Sequence, residues 1–254
     1  MKGLFFEIIK GEGALNFVLI HNAGGSHKFF IHQIEVLKRW GNVILLDLPG
    51  HGSSKKISNN NIENQSNTII DFIQHLNLKN ICLIGLNNGA NLALHIFYTN
   101  KRQINSLILI DPPLFMSEEF IEEISQFIEK LSDNNKEYGK FISSLVNDLF
   151  IGTTEQNRQI AFNAFMAADK ETLQAMFRSL IDSNHDCQLK ISAITCPTLC
   201  IITDEHHCSY QKISEAAPNF YLGKTVGSKC WATLEVPNQI NSMIERFLEI
   251  AVVP

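Results

Sequence analysis

Gly85-Leu86-Asn87-Asn88-Gly89 is the segment of this chain with the most chemical content. It follows the apolar run Ile81-Cys82-Leu83-Ile84 and opens a helix-like pattern. Its Gly-x-Asn-x-Gly spacing therefore has the form of a nucleophile elbow, in which two glycines let strand and helix approach closely and the central residue projects above the sheet. That central residue is Asn87. An amide nitrogen has its lone pair delocalised into the carbonyl, so Asn87 cannot attack a substrate or form an acyl-enzyme. Its chemistry is hydrogen bonding. Two more polar segments follow apolar runs. His21-Asn22-Ala23-Gly24-Gly25 offers backbone N–H groups to a developing oxyanion, and Asp47-Leu48-Pro49-Gly50-His51-Gly52-Ser53-Ser54 is a tight polar turn.

These segments need a scaffold, and the pattern predicts one. Short aliphatic runs recur at residues 17–20, 43–46, 81–84, 107–110 and 199–202, each reading as a strand buried on both faces. Helical patterns such as Ile69-Phe72-Ile73-Leu76 and Leu92-Ala93-Ile96-Phe97 lie between them, and Ile240-Met243-Ile244-Phe247-Leu248 closes the chain. The alternation predicts an α/β fold with a mostly parallel, doubly wound sheet, which places ligands at the carboxyl ends of its strands. From about Ser117 to Ile181 the periods are helical only, through Phe120-Ile124-Phe127-Leu131, Phe141-Leu145-Leu149, Ile160-Ala164 and Leu173-Met176-Leu180. About four helices are expected there, with Thr153 and Gln156 at capping-box spacing. The division is a core of residues 1–116 and 186–254 with a helical cap, or lid, at 117–185.

Composition narrows the partners. A chain of 254 residues is long enough for one domain with an insertion. A net charge of −5 with scattered Lys and Arg argues against nucleic acid. No apolar stretch is long enough to cross a bilayer, and the N-terminus runs into a strand-like Leu4–Ile9 without a signal peptide, so no membrane contact and a cytoplasmic location are expected. The six cysteines lack the paired spacing of a zinc site and read as reduced thiols. No metal or cofactor is expected.

In order and spacing, the three polar segments resemble the α/β-hydrolase superfamily, and the resemblance covers nearly the whole chain. It includes an insertion after Asp111 and a C-terminal Val226-Gly227-Ser228-Lys229-Cys230-Trp231 leading to Glu235-Val236-Pro237, where the family usually has Gly-His, an aromatic residue and Glu-x-Pro. The resemblance puts Asn87 where the family has its Ser, Cys or Asp nucleophile, and Cys230 where it has the general-base histidine. The family's aspartate falls nearest His206, within one or two residues, in Thr203-Asp204-Glu205-His206-His207-Cys208. Some members take the acid from the strand before the cap, where this chain has Asp111. It further implies oxyanion or substrate contacts from Ala23, Asn88, His21, Gly24 and Trp231, and an apolar lining drawn from Phe29, Phe30, Phe115, Phe165, Met166 and Trp231.

An ordinary serine hydrolase is excluded on these residues, since loss of triad members costs on the order of 10⁴ to 10⁶ in rate. Two readings follow. In the first and favoured one the roles are exchanged. His206 or His207 deprotonates Cys230, or a histidine carries protons in an elimination or ring closure, on a small carbonyl- or ester-containing molecule. In the second the chain is a pseudohydrolase that binds a small molecule as a sensor or scaffold.

Overall fold

A computed structural model of the chain describes residues 3–100, 104–132, 137–205 and 208–252. Among these, strands β1 (Phe6–Ile9), β2 (Leu15–Ile20), β3 (Gly41–Leu46), β4 (Ile81–Leu86), β5 (Ile104–Ile110), β6 (Thr198–Ile202) and β7 (Tyr221–Lys224) form one sheet. Their order across it is β1-β3-β2-β4-β5-β6-β7, and β1 alone runs antiparallel to its neighbour. The central strand β4 is buried at all six positions, which is why its sequence is almost uninterruptedly aliphatic. The edge strands β1 and β7 carry exposed residues. The chain goes outward from β2 to β3, then crosses back to β4 on the other side of β2. That reversal opens a crevice at the carboxyl ends of β2 and β4.

Helices α1 (Ile34–Lys38), α2 (Ile62–His75) and α3 (Asn88–Thr99) link β2 to β3, β3 to β4 and β4 to β5. Between β5 and β6 come α4 (Glu118–Ser132), α5 (Tyr138–Asp148), α6 (Glu155–Ala167) and α7 (Lys170–Asp182), then a 3-10 turn (Ser183–Asp186) and α8 (Cys187–Ser192). The chain ends through α9 (Tyr210–Ala216), α10 (Ala232–Glu235) and α11 (Pro237–Phe247), whose Ile240, Ile244 and Phe247 are buried on one face. No helix among the described residues is long and apolar enough to cross a membrane.

Of the helices between β5 and β6, α6 and α7 start at polar side-chain caps. Asp169 accepts the Thr172 N–H at 3.0 Å. The cap expected at Thr153 is one residue further on. Thr154 has the extended backbone of an N-cap and accepts the Asn157 N–H, while Thr153 Oγ1 accepts from Asn157 Nδ2 at 3.0 Å. Several bonds tie this insertion to the loops and helices around the sheet. The Asp169 N–H donates to Gly50 O at 2.9 Å, Asn157 Nδ2 to Leu234 O at 2.8 Å, and the Ile62 N–H to Ser179 Oγ at 3.3 Å.

Candidate functional site

Sheet register decides which residues meet. Gly85 of β4 pairs with Ile20 of β2, Leu86 pairs with Ile110 of β5, and Ile110 pairs with Ile201 of β6. The residues that follow these strands therefore emerge side by side: His21, Asn87, Asp111 and, one step on, Thr203. The ladder runs past the strand ends, with Asn87 N–H donating to Ile110 O at 2.8 Å and Asp111 N–H to Ile201 O at 2.7 Å. Asn87 is the apex of the elbow expected from the sequence, at φ 49°, ψ −118°. The flanking glycines are required by close approach. A Cβ on Gly85 would come within 2.5 Å of the Ala90 Cα, and one on Gly89 within 2.2 Å of Ile20 O.

The Asn87 side chain is engaged at both ends. Its Oδ1 accepts the Asn88 N–H at 3.0 Å, and its Nδ2 donates to Asp111 O and Asp111 Oδ2, each at 3.3 Å. The Asp111 carboxylate also accepts from Thr203 Oγ1 at 3.0 Å and is almost fully buried. In this arrangement the Asn88 N–H expected to steady an oxyanion already has an acceptor supplied by the chain.

The loop after β2 corrects two further expectations. His21 is fully buried; its Nδ1 donates to Asn22 O at 2.8 Å and its Nε2 accepts the Leu48 N–H at 2.9 Å. Burial, reinforced by the neighbouring His51, pushes its pKa down to about 3. His21 is thus a neutral brace between two loops and does not line the pocket. His51 plays the same part. Its Nδ1 bonds Pro49 O, its Nε2 accepts the Gly24 N–H at 3.0 Å, and burial holds its pKa at about 4. Gly24 therefore cannot offer its N–H to a substrate. Ala23 does line the cavity, and no described group accepts its N–H. Below the loop, burial works against the Asp47 carboxylate, yet bonds from the His27 ring and N–H and the Ser53 N–H outweigh it and hold its pKa at about 2.

On the far side, the loops after β6 and β7 face each other as the fold implies. The Asp204 N–H donates to Ser228 O at 3.1 Å, and Lys229 Nζ pairs with Glu205 Oε2 at 2.9 Å. His206 and His207 lie outside the described residues. Cys230 lines the cavity but is buried, and burial, with the charges of Asp111 and Glu235 adding to it, pushes its thiol well above the usual cysteine range. The electrostatics here oppose the thiolate that the nucleophilic form of the exchanged-role reading requires. Trp231 forms a wall as expected, edge-on to Phe29 and Phe150 with ring centres 5.4 and 5.1 Å away.

These groups border a cavity of about 260 Å³ between the sheet and the helical insertion. Its floor is Asn22, Ala23, Asn87 and Asn88, and its walls are mainly apolar side chains of α4 to α7. Of the aromatic residues expected to line it, Phe165 and Trp231 do. Phe29 and Phe30 are fully buried in the core, Phe115 lies beneath the Lys212 ammonium, and Met166 points to solvent. The sequence reading missed Phe120, Glu123, Phe127 and Phe177. They share one helical period on α4 and α7, but which face of each helix turns inward depends on how the helices dock. Among the described residues no cluster of three or more His, Cys, Asp or Glu side chains gathers in metal-binding fashion, and all six cysteines are free thiols.

Comparison with known proteins bears on the whole of this frame. A pimeloyl-[acyl-carrier protein] methyl ester esterase of Wigglesworthia glossinidia brevipalpis is 26% identical over 205 residues, 78% of this chain and 77% of that protein. The dihydrolipoyllysine-residue acetyltransferase component of the acetoin cleaving system of Pseudomonas putida is 32% identical over 107 residues, 42% of this chain, and the chain spans only 29% of that relative. Among solved structures, an esterase (EaEST) from Exiguobacterium antarcticum superposes with a TM-score of 0.83 at 18% identity, covering 97% of this chain and 95% of that one. A bromoperoxidase from Bacillus anthracis gives 0.85 at 16% identity, with 97% and 95% covered. At such identities the structural likeness speaks for the fold alone. Residues 16–172 match the family model described as alpha/beta hydrolase fold, and with the seven-stranded, mostly parallel sheet this makes the chain a member of the alpha/beta hydrolase fold family.

Proposed function

We propose that this chain binds a small, largely apolar molecule in the cavity above Asn87 and leaves it chemically unchanged. The observation that carries the reading is the engagement of the Asn87 amide between the Asn88 N–H and Asp111. The position from which a hydrolase attacks holds a group that cannot attack, and that group occupies a donor an oxyanion would need. The nucleophilic form of the exchanged-role enzyme favoured by sequence needs a Cys230 thiolate, and the largest influences on that thiol favour its neutral form. What supports binding is the cavity itself, with apolar walls, a polar floor and an Ala23 N–H that no group of the described residues accepts. A ligand carbonyl would complement that N–H.

The test is direct. Purified protein is incubated with p-nitrophenyl acetate, p-nitrophenyl butyrate, a short thioester and iodoacetamide, and followed by absorbance and intact mass. Turnover at the buffer rate is expected, with no adduct on Cys230 in the native protein. Turnover that disappears in Cys230→Ala or His206→Ala would establish the exchanged-role enzyme instead.

A further inference from the structure

We propose that the cavity selects an organic cation: a neutral apolar body lying toward Asn87 and an alkylammonium group at the mouth beside Glu123. The inference deepens the binding reading above and rests on it. Phe120, Glu123, Ile124 and Phe127 stand at i, i+3, i+4 and i+7 on α4, so one face of that helix forms the wall. Glu123 is the one charged side chain among the described residues that line the cavity, and no Lys, Arg or His lines it. Glu123 also takes no part in the ion pairs of the described residues.

A second feature carries the same sign. The walls near Glu123 are aromatic, with the Phe127 and Phe177 ring centres 5.1 Å apart at a steep angle, and ring faces attract cations. An anionic ligand would meet the Glu123 carboxylate and, among the described residues that line the cavity, no Lys, Arg or His to offset it. A cation would meet the opposite arrangement.

Three probes sharing one body separate the possibilities: 4-phenylbutylamine, 4-phenylbutanol and 4-phenylbutyrate, each titrated calorimetrically into the intact protein at pH 7 and low salt. The amine is expected to bind about tenfold more tightly than the carboxylate, with the alcohol between them. Raising the salt to about 0.5 M should narrow that spread, as screening requires. Glu123→Gln should bring the amine to the affinity of the alcohol, with an unchanged melting temperature showing that the fold is intact. A carboxylate that binds as tightly as the amine, or an amine-to-alcohol ratio untouched by Glu123→Gln, overturns the charge selection while leaving the binding reading in place. If none of the three binds the wild-type protein, the binding reading fails and this proposal fails with it.

Discussion

Asn87 Nδ2 sits 3.3 Å from both the carboxylate Oδ2 and the main-chain oxygen of Asp111, and both residues have positive φ, at 49° and 48°. Only glycine adopts positive φ freely, and Asn87, at ψ −118°, lies outside the αL well that Asn and Asp tolerate. The two strand ends are therefore shaped to turn these side chains toward each other. Each contact is near the long limit for a hydrogen bond, so neither is strong alone. Together they connect the elbow, the end of β5 and, through Thr203, the end of β6. The acid at the end of β5 thus holds the amide at the apex of the elbow.

Restoring a nucleophile alone should not restore chemistry. Asn87→Ser puts a hydroxyl at the apex, but Cys230, where the family resemblance implies the general base, carries a neutral thiol, and an unactivated serine is a poor nucleophile. Asn87→Ser combined with Cys230→His supplies both parts beside Asp111. The double variant is expected to hydrolyse p-nitrophenyl acetate at least about 10²-fold faster than wild type, while Asn87→Ser alone stays at the wild-type rate. Equal activity in the single and double variants would mean that another base already reaches the apex.

What the sequence disclosed follows from the range of the forces involved. The central strands were legible because burial on both faces leaves an unbroken aliphatic run, whereas β7 reads Tyr-Leu-Gly-Lys and carries no such mark. The apex at Asn87 was legible because contacts at 2.5 and 2.2 Å forbid a side chain at Gly85 and Gly89. His21 and Gly24 were misread because their bonds go to Leu48 and His51, on a loop some thirty residues away whose position only the fold supplies. Glu123 carries no mark in the sequence that sets it apart from the other acidic residues of α4. Its place on the cavity wall comes from helix docking, which periodicity does not encode. The same holds for Glu235, read simply as part of a Glu-x-Pro segment.

Stability should fall as the solution is acidified from pH 7 to 5, through His21 and His51. Both are neutral in the folded protein, with pKa values near 3 and 4, and both regain the ordinary value near 6.5 when the chain unfolds. Below pH 6.5 the unfolded state therefore binds up to two more protons than the folded state, and acid favours unfolding. Across this window the two residues account for a loss of about 2 to 4 kcal/mol. Asp47 acts in a different range. Its depressed pKa near 2 gives stability that is complete above about 4 and fades only as pH falls toward 2. Urea midpoints measured at pH 7 and pH 5 check the prediction, and His51→Asn should flatten the dependence. A midpoint that does not change between the two values would mean that these histidines titrate normally in the folded state.

Glu235 should govern how firmly the helical insertion is attached. Its Oε1 accepts the Ile151 and Gly152 N–H groups at 2.5 and 2.7 Å, in the link between α5 and α6, while Oε2 accepts the Lys229 N–H at 2.9 Å, one residue before Cys230. One carboxylate thus joins the middle of the insertion to the loop that forms the cavity wall, by three bonds in which the acceptor is charged. Glu235→Gln keeps the shape but removes the charge and replaces one acceptor with a donor, so at least one of the three N–H groups loses its partner. Allowing for the partial exposure of the site, the cost is about 1 to 2 kcal/mol, concentrated on opening of the 150–154 link. Native-state digestion with thermolysin, which cuts before large apolar residues such as Phe150 and Ile151, reads that opening. Cleavage there is expected to be about five- to thirtyfold faster in Glu235→Gln than in wild type, as the free energy implies. The phenylalkyl probes above should bind more weakly to the variant, because the insertion supplies most of the cavity wall. Unchanged cleavage at this link would show that Asn157, Asp169 and Ser179 hold the insertion without help from the carboxylate.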